Sequence, residues 1–461
     1  MGKNILSIGN LKKTIHYLQK NGIRHTFYAA KERMEEEKGA DYIYLEPGED
    51  VLKAQSAEAA DYPYRISIVV PAYETKEKYL REMIDSVRRQ SYPKWELIIA
   101  DAGKSRKVED IVTSYRTAEK EDRIRYIRLQ DNKGISENTN AAIEEASGEY
   151  IGLLDHDDIL TADALYEMAV ALKKAQECGK NPAILYSDED KYEHNNRYEC
   201  PNKKYKFNLD LILSNNYICH FMMIEAKLLK KLKLRRQFDG AQDYDLILRV
   251  IKTLLASEPA SKLQDSILHI PKILYHWRCH EESTAANTAS KSYAYEAGKA
   301  ALEEFCAGQG WHVNVTHSLH LGFYRIAYEP DIFTVRPEVG IVGGRILKNN
   351  KITAGIFDEE GNILYQGVHK EYSGGSTHRA VLLQDAAAVD IRCMRVCTAL
   401  QPVFEEITGV PYKEYGAQKI ADVSSIACDE AGYRKLSMAL GTAASEKGYL
   451  VVWNPQITIK N

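Results

Sequence analysis

The chain is predicted to be an α/β protein: a doubly wound, mostly parallel sheet with helices on its faces, followed by a smaller α/β unit. Three observations carry this. Four short, nearly continuous apolar runs punctuate residues 65–154, and three of them stop at Pro71, Asp101 and Asp155. Helix-length segments separate them. From about residue 331 the texture shifts and glycine becomes more frequent. Buried parallel strands read as unbroken apolar runs, and alternation with helices is what a parallel sheet requires.

The elements follow in order. Residues 1–62 read as a helical lead-in, where Leu11, Ile15, Leu18 and Ile23 give partial helical periodicity and residues 31–38 form a solvated charge run. The turn Glu46-Pro47-Gly48-Glu49-Asp50 marks its boundary. Strands are expected at 65–70, 95–100, 124–129 and 150–154, with helices at 76–90, 107–120 and 136–146 between them. Further strands are expected at 183–187 and 219–224, and helices at 242–255 and 293–308. Residues 267–275 look extended, with Pro271 making them an edge or a break. This divides the chain into 1–62, 63–325 and 326–461.

Bulk properties narrow the function. A length of 461 residues suits two or three cores. An apolar share of 44% and a charged share of 27% are ordinary for a globular protein. A net charge of -4 argues against a nucleic-acid binder. The 8 cysteines are scattered without zinc-type pairs, and Cys393 and Cys397 read as one helix face, so reduced thiols and a cytoplasmic protein are expected. No run nears the ~18–20 apolar residues that cross a bilayer. The first residues fit neither a signal peptide nor a myristoylation pattern, which Leu6 breaks. Peripheral contact with a membrane stays open, and nothing specifies an oligomeric state.

In an open parallel sheet, ligands bind beyond the carboxyl ends of the strands. Those ends carry Pro71-Ala-Tyr-Glu74, Asp101 and Asp155-His-Asp-Asp158. Each alone reads as a turn or helix cap. Three aimed at one crevice favour chemistry. Asp155-x-Asp157, just past a buried strand, can hold a hard divalent cation such as Mg²⁺ or Mn²⁺, which would bridge a diphosphate. The bare pattern is common by chance; its surroundings make it specific.

Six segments in order resemble a known family: ISIVVPAYE, WELIIADAGKS, DNKGISENTNAA, GEYIGLLDHDDIL, GAQDYDLILR and ILYHWRCHEEST. Together, over roughly residues 64–310, they resemble the inverting family 2 glycosyltransferases of GT-A fold, and look nearest to bacterial rhamnosyltransferase-like members that build surface polysaccharides. The resemblance implies that Pro71, Tyr73, Glu74 and Asp101 cradle the nucleoside, although Ala102 stands where a second Asp is usual. It implies that Asn132 and Lys133 lie near the donor, that Asp155 contacts ribose or metal, and that Asp157 binds the metal. Asp158 reads as a cap for the next helix. Asp243 is placed as the general base that takes the acceptor hydroxyl's proton, with Gln242 in place of the usual Glu. The alternative makes Asp243 an N-cap and Asp245 a surface residue. His280, or else His276, is a further metal ligand, and Arg278 faces the diphosphate. The acidic run 187–191 divides evenly between lining the acceptor cleft and a solvated loop.

From Pro337 the chain resembles the family again, through PEVGIVGGRIL and EKGYLVVWNPQITI, but only its acceptor-side half. Where members carry Asp-x-Asp-Leu, this chain has Ser437, Ala439 and Leu440. The unit therefore reads as degenerate and non-catalytic. The expectation is a metal-dependent hexosyltransferase that moves sugar from a UDP- or dTDP-sugar to a saccharide, lipid-linked or free, at the inner face of a bacterial membrane. A non-catalytic carbohydrate-binding or scaffold protein is the alternative. A sugar nucleotidyltransferase would need a glycine-rich basic loop that the first strand end lacks.

Overall fold

A computed structural model describes residues 8–36, 42–193, 197–279 and 292–460. Its main sheet has nine strands. β1 (Ile66–Ala72), β2 (Trp95–Asp101), β3 (Ile124–Arg128) and β4 (Tyr150–Leu153) are the four apolar runs read from the sequence. They lie in the order β3-β2-β1-β4, all parallel. β5 (Ile159–Leu160), β6 (Ile184–Glu193), β7 (Arg197–Asn202), β8 (Met222–Glu225) and β9 (Ile267–Arg278) extend it as β4-β8-β6-β9-β5, with β7 paired to β6. β8 runs antiparallel to both β4 and β6.

Helices cover both faces. α1 (Ile8–Glu36) and α2 (Glu49–Glu58) precede the sheet; α3 (Glu77–Arg88), α4 (Lys107–Ala118) and α5 (Ile135–Glu145) are the crossovers. α3 buries Leu80, Met83, Ile84 and Val87, the one-sided stripe of an amphipathic helix. Ile68, Val69, Ile98 and Ile151 are wholly buried, each contributing roughly 1.5–3 kcal/mol. β4 passes so close to β1 that a Cβ on Gly152 would lie 2.7 Å from Phe221 Cζ and 2.8 Å from Ile68 Cδ1.

The chain runs outward from β1 to β3, then returns to the other side of β1 as β4. A crevice opens where that direction reverses. Pro71 and Asp155 flank it. α6 (Ala164–Glu177), α7 (Leu209–Ile212), α8 (Ala226–Leu232) and α9 (Gln242–Leu255) complete the domain.

The structure sharpens four of the sequence readings. Strand β8 begins at Met222, so Cys219–Phe221 is loop rather than strand. At Pro271 β9 is the expected edge, flanked by β6 alone, and it does not break. It bulges there, between Ile270, paired to Ser187, and Ile273, paired to Asp188; Pro271 is exposed, so its missing N–H costs no ladder bond. The acidic run 187–191 is no solvated loop, because Ser187, Asp188, Glu189 and Asp190 are all buried in β6. The apolar positions of α1 do not face a core: Ile15, Leu18 and Ile23 are exposed.

A hairpin, β10 (Val313–His317) with β11 (Tyr324–Tyr328), leads to a second, smaller sheet. There β12 (Val339–Lys348) lies parallel to the final strand, Leu450–Lys460. α1 kinks at Gly22 and docks on this unit. The Glu32 carboxylate accepts from the amides of Ser373, Gly374 and Gly375 at 2.8–2.9 Å.

Candidate active site

Asp155 follows β4 directly. Leu153 pairs with Val69, and Leu154 N donates to Val69 O at 3.2 Å, which sets the carboxylate beside the end of β1. A pocket of about 70 Å³ opens there, lined by Pro71, Asp155, Cys219, His220, Gln242 and Asp243 among others. Asp155 and Asp243 are 88 residues apart in sequence yet share one cavity.

Asp243 sits in the first turn of α9, whose N-cap is Ala241. It is therefore not the cap that the alternative reading made it. Its Oδ2 accepts from Asn216 Nδ2 at 3.0 Å and from the Cys219 thiol. Burial and the Asp243 carboxylate push that thiol's pKa well up, so Cys219 stays a protonated donor. Asp245 is not a surface residue either. It is 1% exposed and ion-paired with Arg235 and Arg249.

Around Asp155 the charges are coupled. Crowding by protein atoms raises its pKa, His220 opposes this, and Asp157 and Asp243 add to it. His220 Nε2 lies 4.0 Å from Asp155 Oδ2, and Nδ1 lies 3.5 Å from Glu189 Oε2. Burial disfavours the imidazolium, but Glu189, Asp155 and Asp158 outweigh it and lift His220 to about 9. Glu189 is lowered to about 2: burial resists this, and Lys204 and His220 overcome it. Lys204 is buried and donates to Ile218 O at 2.9 Å and to His220 O, so it also fixes the loop that carries His220. Sequence reasoning missed Asn216, Cys219, His220 and Lys204, and gave Glu189 only as part of the acidic run 187–191. The polar residues of Asn216-Tyr-Ile-Cys-His220, just before a strand, were the available signal.

Other expected residues are placed as follows. Asp101 is wholly buried; Oδ1 accepts from Gly103 N at 2.8 Å, and Oδ2 from Tyr126 at 3.0 Å and Arg128 at 3.2 Å. It caps no helix and shapes the β2 end from within. Glu74, in a left-handed turn at φ 48°, accepts from Lys104 N at 2.8 Å, and Tyr73 beside it is 46% exposed. Asn132 Oδ1 accepts from Gly134 N at 3.1 Å and Asn138 Nδ2 at 3.0 Å, which forms the turn into α5. Gly134 there has φ 98°, a conformation only glycine adopts readily. Lys133 is exposed.

Asp158 is not a helix cap. It is buried, accepts from Arg278 N at 2.7 Å and from the Tyr275 hydroxyl, and so ties the acidic loop to β9. Helix α6 is capped at Asp163 instead. Arg278 does not line the pocket. Its Nε donates to Asp157 O at 2.5 Å, its Nη2 pairs with Glu82 at 2.6 Å, and its guanidinium stacks on Tyr79 and Tyr192. It braces the loop from behind. His276 is also withdrawn: Nδ1 bonds Asp190, and the ring packs against Tyr44 and Tyr198. His280 lies outside the described residues.

The fit to a divalent cation rests on Asp155, 44% exposed at its side chain, and Asp157, 20% exposed. Among the described residues no third His, Cys, Asp or Glu completes a cluster with them. Two carboxylates, with the remaining positions left to phosphate and water, is how magnesium is commonly held.

Residues 67–233 match the model described as Glycosyl transferase family 2. The chain carries a family 2 glycosyltransferase domain. Uncharacterized protein y4gI of Sinorhizobium fredii is 40% identical over 245 residues, 52% of this chain and 25% of that protein. O-antigen biosynthesis protein RfbC of Myxococcus xanthus is 33% identical over 265 residues, 57% and 20%. The Escherichia coli UDP-Glc:alpha-D-GlcNAc-diphosphoundecaprenol beta-1,3-glucosyltransferase WfgD is 28% identical over 194 residues, 41% and 70%. The chain thus spans a quarter or less of the length of the first two. The glycosyltransferase domain has relatives in bacterial polysaccharide biosynthesis, and among the described residues no helix is long and apolar enough to cross a membrane.

Proposed function

We propose that this domain transfers a glycosyl group from a nucleotide-diphospho-sugar, UDP- or dTDP-linked, to a saccharide hydroxyl, with inversion, in building a bacterial surface polysaccharide. One observation carries the reading: Asp155 and Asp243 face a single pocket at the sheet's switch point.

Asp243 is the base. Asn216 and Cys219 hold one oxygen and so aim the carboxylate at the pocket. It takes the proton of the acceptor hydroxyl as that oxygen attacks the anomeric carbon, and the nucleoside diphosphate leaves from the opposite side. One displacement inverts the centre. Asp155 and Asp157 would hold Mg²⁺ or Mn²⁺, which supplies charge neutralisation at the diphosphate. Pro71, Tyr73 and Glu74 border the nucleoside, with Asp101 supporting their loop from inside. Lys133 reaches toward phosphate. WfgD is named for an acceptor GlcNAc carried on diphosphoundecaprenol, which supports a lipid-linked saccharide acceptor and work at the cytoplasmic face of the membrane.

The test is a thermal-shift panel of UDP-, dTDP- and GDP-sugars with manganese, coupled to nucleotide release. Metal-dependent stabilisation by one nucleotide class, lost in Asp157→Asn, is expected. If no nucleotide stabilises the chain with or without metal, it is a binding or scaffold protein instead.

A further inference from the structure

A second cavity is larger than the one at Asp155. It measures about 400 Å³ and lies between the β10–β11 hairpin, residues 210–214 of the transferase domain, and the smaller C-terminal sheet. Neither the base nor the donor residues line it.

Its walls are amphipathic. β10 and β11 turn Val315 and Tyr324 into the core and leave Asn314, Thr316 and Arg325 on the cavity side, exposed. The last strand contributes Asn454 and Gln456 from across the gap. Among the described residues, no protein group takes up the side chains of Asn314, Thr316 or Gln456. Leu382 and Ile457 add apolar surface between these polar rims. Arg395 pairs with Asp331 at 2.8 Å, but its Nε is buried in the cavity wall without a hydrogen-bond partner. A donor left dry costs about 1–3 kcal/mol unless something accepts from it. Unspent amides and hydroxyls around apolar surface match a sugar, which presents hydroxyls at its edges and C–H groups on its faces.

The cavity is also mechanically joined to the base. Ser214 lines it, and Tyr324 N donates to Ser214 O at 2.8 Å. Two residues on, Asn216 holds Asp243. On the same side the Tyr324 ring stacks on Tyr244, the neighbour of Asp243, at 6.1 Å and 7°. A chain seated in the cavity therefore lies just behind the wall that carries the base.

We propose that this inter-unit cleft is a saccharide-binding subsite, which holds sugar units of the acceptor away from the hydroxyl that reacts at Asp243. This rests on the transferase reading above. It gives the C-terminal unit a function without chemistry: it supplies one wall.

The experiment titrates short and long oligosaccharides, cut by mild acid from the encoding cell's own surface polysaccharide, into the full chain. Binding is followed by saturation-transfer NMR. Wild-type chain should bind long fragments more tightly than short ones. Asn454→Ala with Gln456→Ala, and separately Arg325→Ala, should weaken long-fragment binding about tenfold. The thermal shift with nucleotide-sugar should not change. Long fragments that bind the variants as tightly as wild type, or wild-type affinity independent of length, would overturn the subsite. So would displacement of the fragments by dilute inorganic phosphate, which would make the cleft an anion site. Absence of any nucleotide-sugar shift in wild type sinks the transferase reading instead, and fragment binding still decides the cleft.

Discussion

The two sheet units use buried polar residues in opposite ways. In the transferase domain they converge on a cavity: Asn216 and Cys219 hold Asp243, while Glu189 and Lys204 hold His220 against Asp155. Around the helix Glu430–Glu446 of the C-terminal unit they close on one another. Ser437, where family members carry an Asp, is wholly buried in the helix Glu430–Glu446; its Oγ donates to Tyr433 O at 2.7 Å and accepts from Ile391 N at 3.0 Å. Asp390 pairs with Arg392, and Arg392 with Glu430. Strands and helices alone do not make a site. A site needs polar groups whose capacity the fold leaves unspent.

The comparison can be broken at four points. Asp243→Asn should lower transfer by roughly 10²–10⁴-fold while nucleotide-sugar binding persists, measured as nucleotide release against thermal shift. Full activity would remove the base from the transferase side.

The second point is the joint between the units. Arg336 and Asp210 pair at 2.6 Å with neither side chain exposed, and Asp385 N bonds Asn208 Oδ1 nearby at 2.8 Å. Arg336→Ala leaves a buried carboxylate alone and should cost about 3–5 kcal/mol, read in chemical denaturation of the full chain. A loss well under 1 kcal/mol would mean that the units are only loosely joined.

Third, Ser437→Asp puts a carboxylate where the sequence resemblance would place one. It should destabilise by roughly 1–3 kcal/mol, because a buried charge replaces a satisfied hydroxyl, and it should create no second activity. A second metal-dependent nucleotide site in that variant would show that the C-terminal unit lacks only its acid.

The smallest effect concerns α1. His320 and His378 stack at 3.5 Å in the contact between the hairpin and the C-terminal unit, where burial lowers them to about 4 and about 3. Their folded pKa values lie below the ordinary histidine value. The stability they carry is therefore present above about pH 6.5 and is lost as pH falls through about 4. Tyr17 of α1 packs against the His320 ring at 6.1 Å. Protection of the α1 amides, corrected for the intrinsic pH dependence of exchange, should fall over that window, and His320→Phe should flatten the response. Unchanged protection from neutral pH to pH 4 would refute it.

Much was legible in the sequence because strand burial is periodic and local. The runs ending at Pro71, Asp101 and Asp155 announced a parallel sheet and the edge where the pocket opens. The motif around Asp155 and the position of Asp243 were readable as residue types in order. Errors came where a side chain's role depends on what lies far away in sequence. Asp158 looked like a cap until Tyr275 and Arg278, over a hundred residues on, were seen to claim it. Charge alone leaves the run 187–191 divided between a cleft wall and a solvated loop. Its buried neighbours decide: Asp188 bonds His269, Glu189 pairs with Lys204, and Asp190 bonds His276.

By itself, then, the sequence determined the sheet, the order of its strands' ends and the carboxylates placed there, since apolar periodicity and strand termini are properties of neighbours along the chain. Tertiary structure alone decided which of those carboxylates remain open. It buried Asp101 and Asp158 in protein donors, withdrew Arg278 and His276 into packing, and brought Cys219 and His220 beside Asp243 and Asp155. The physical reason is that a polar group's availability depends on every partner the fold brings within hydrogen-bond reach, and most of those partners are distant in the chain.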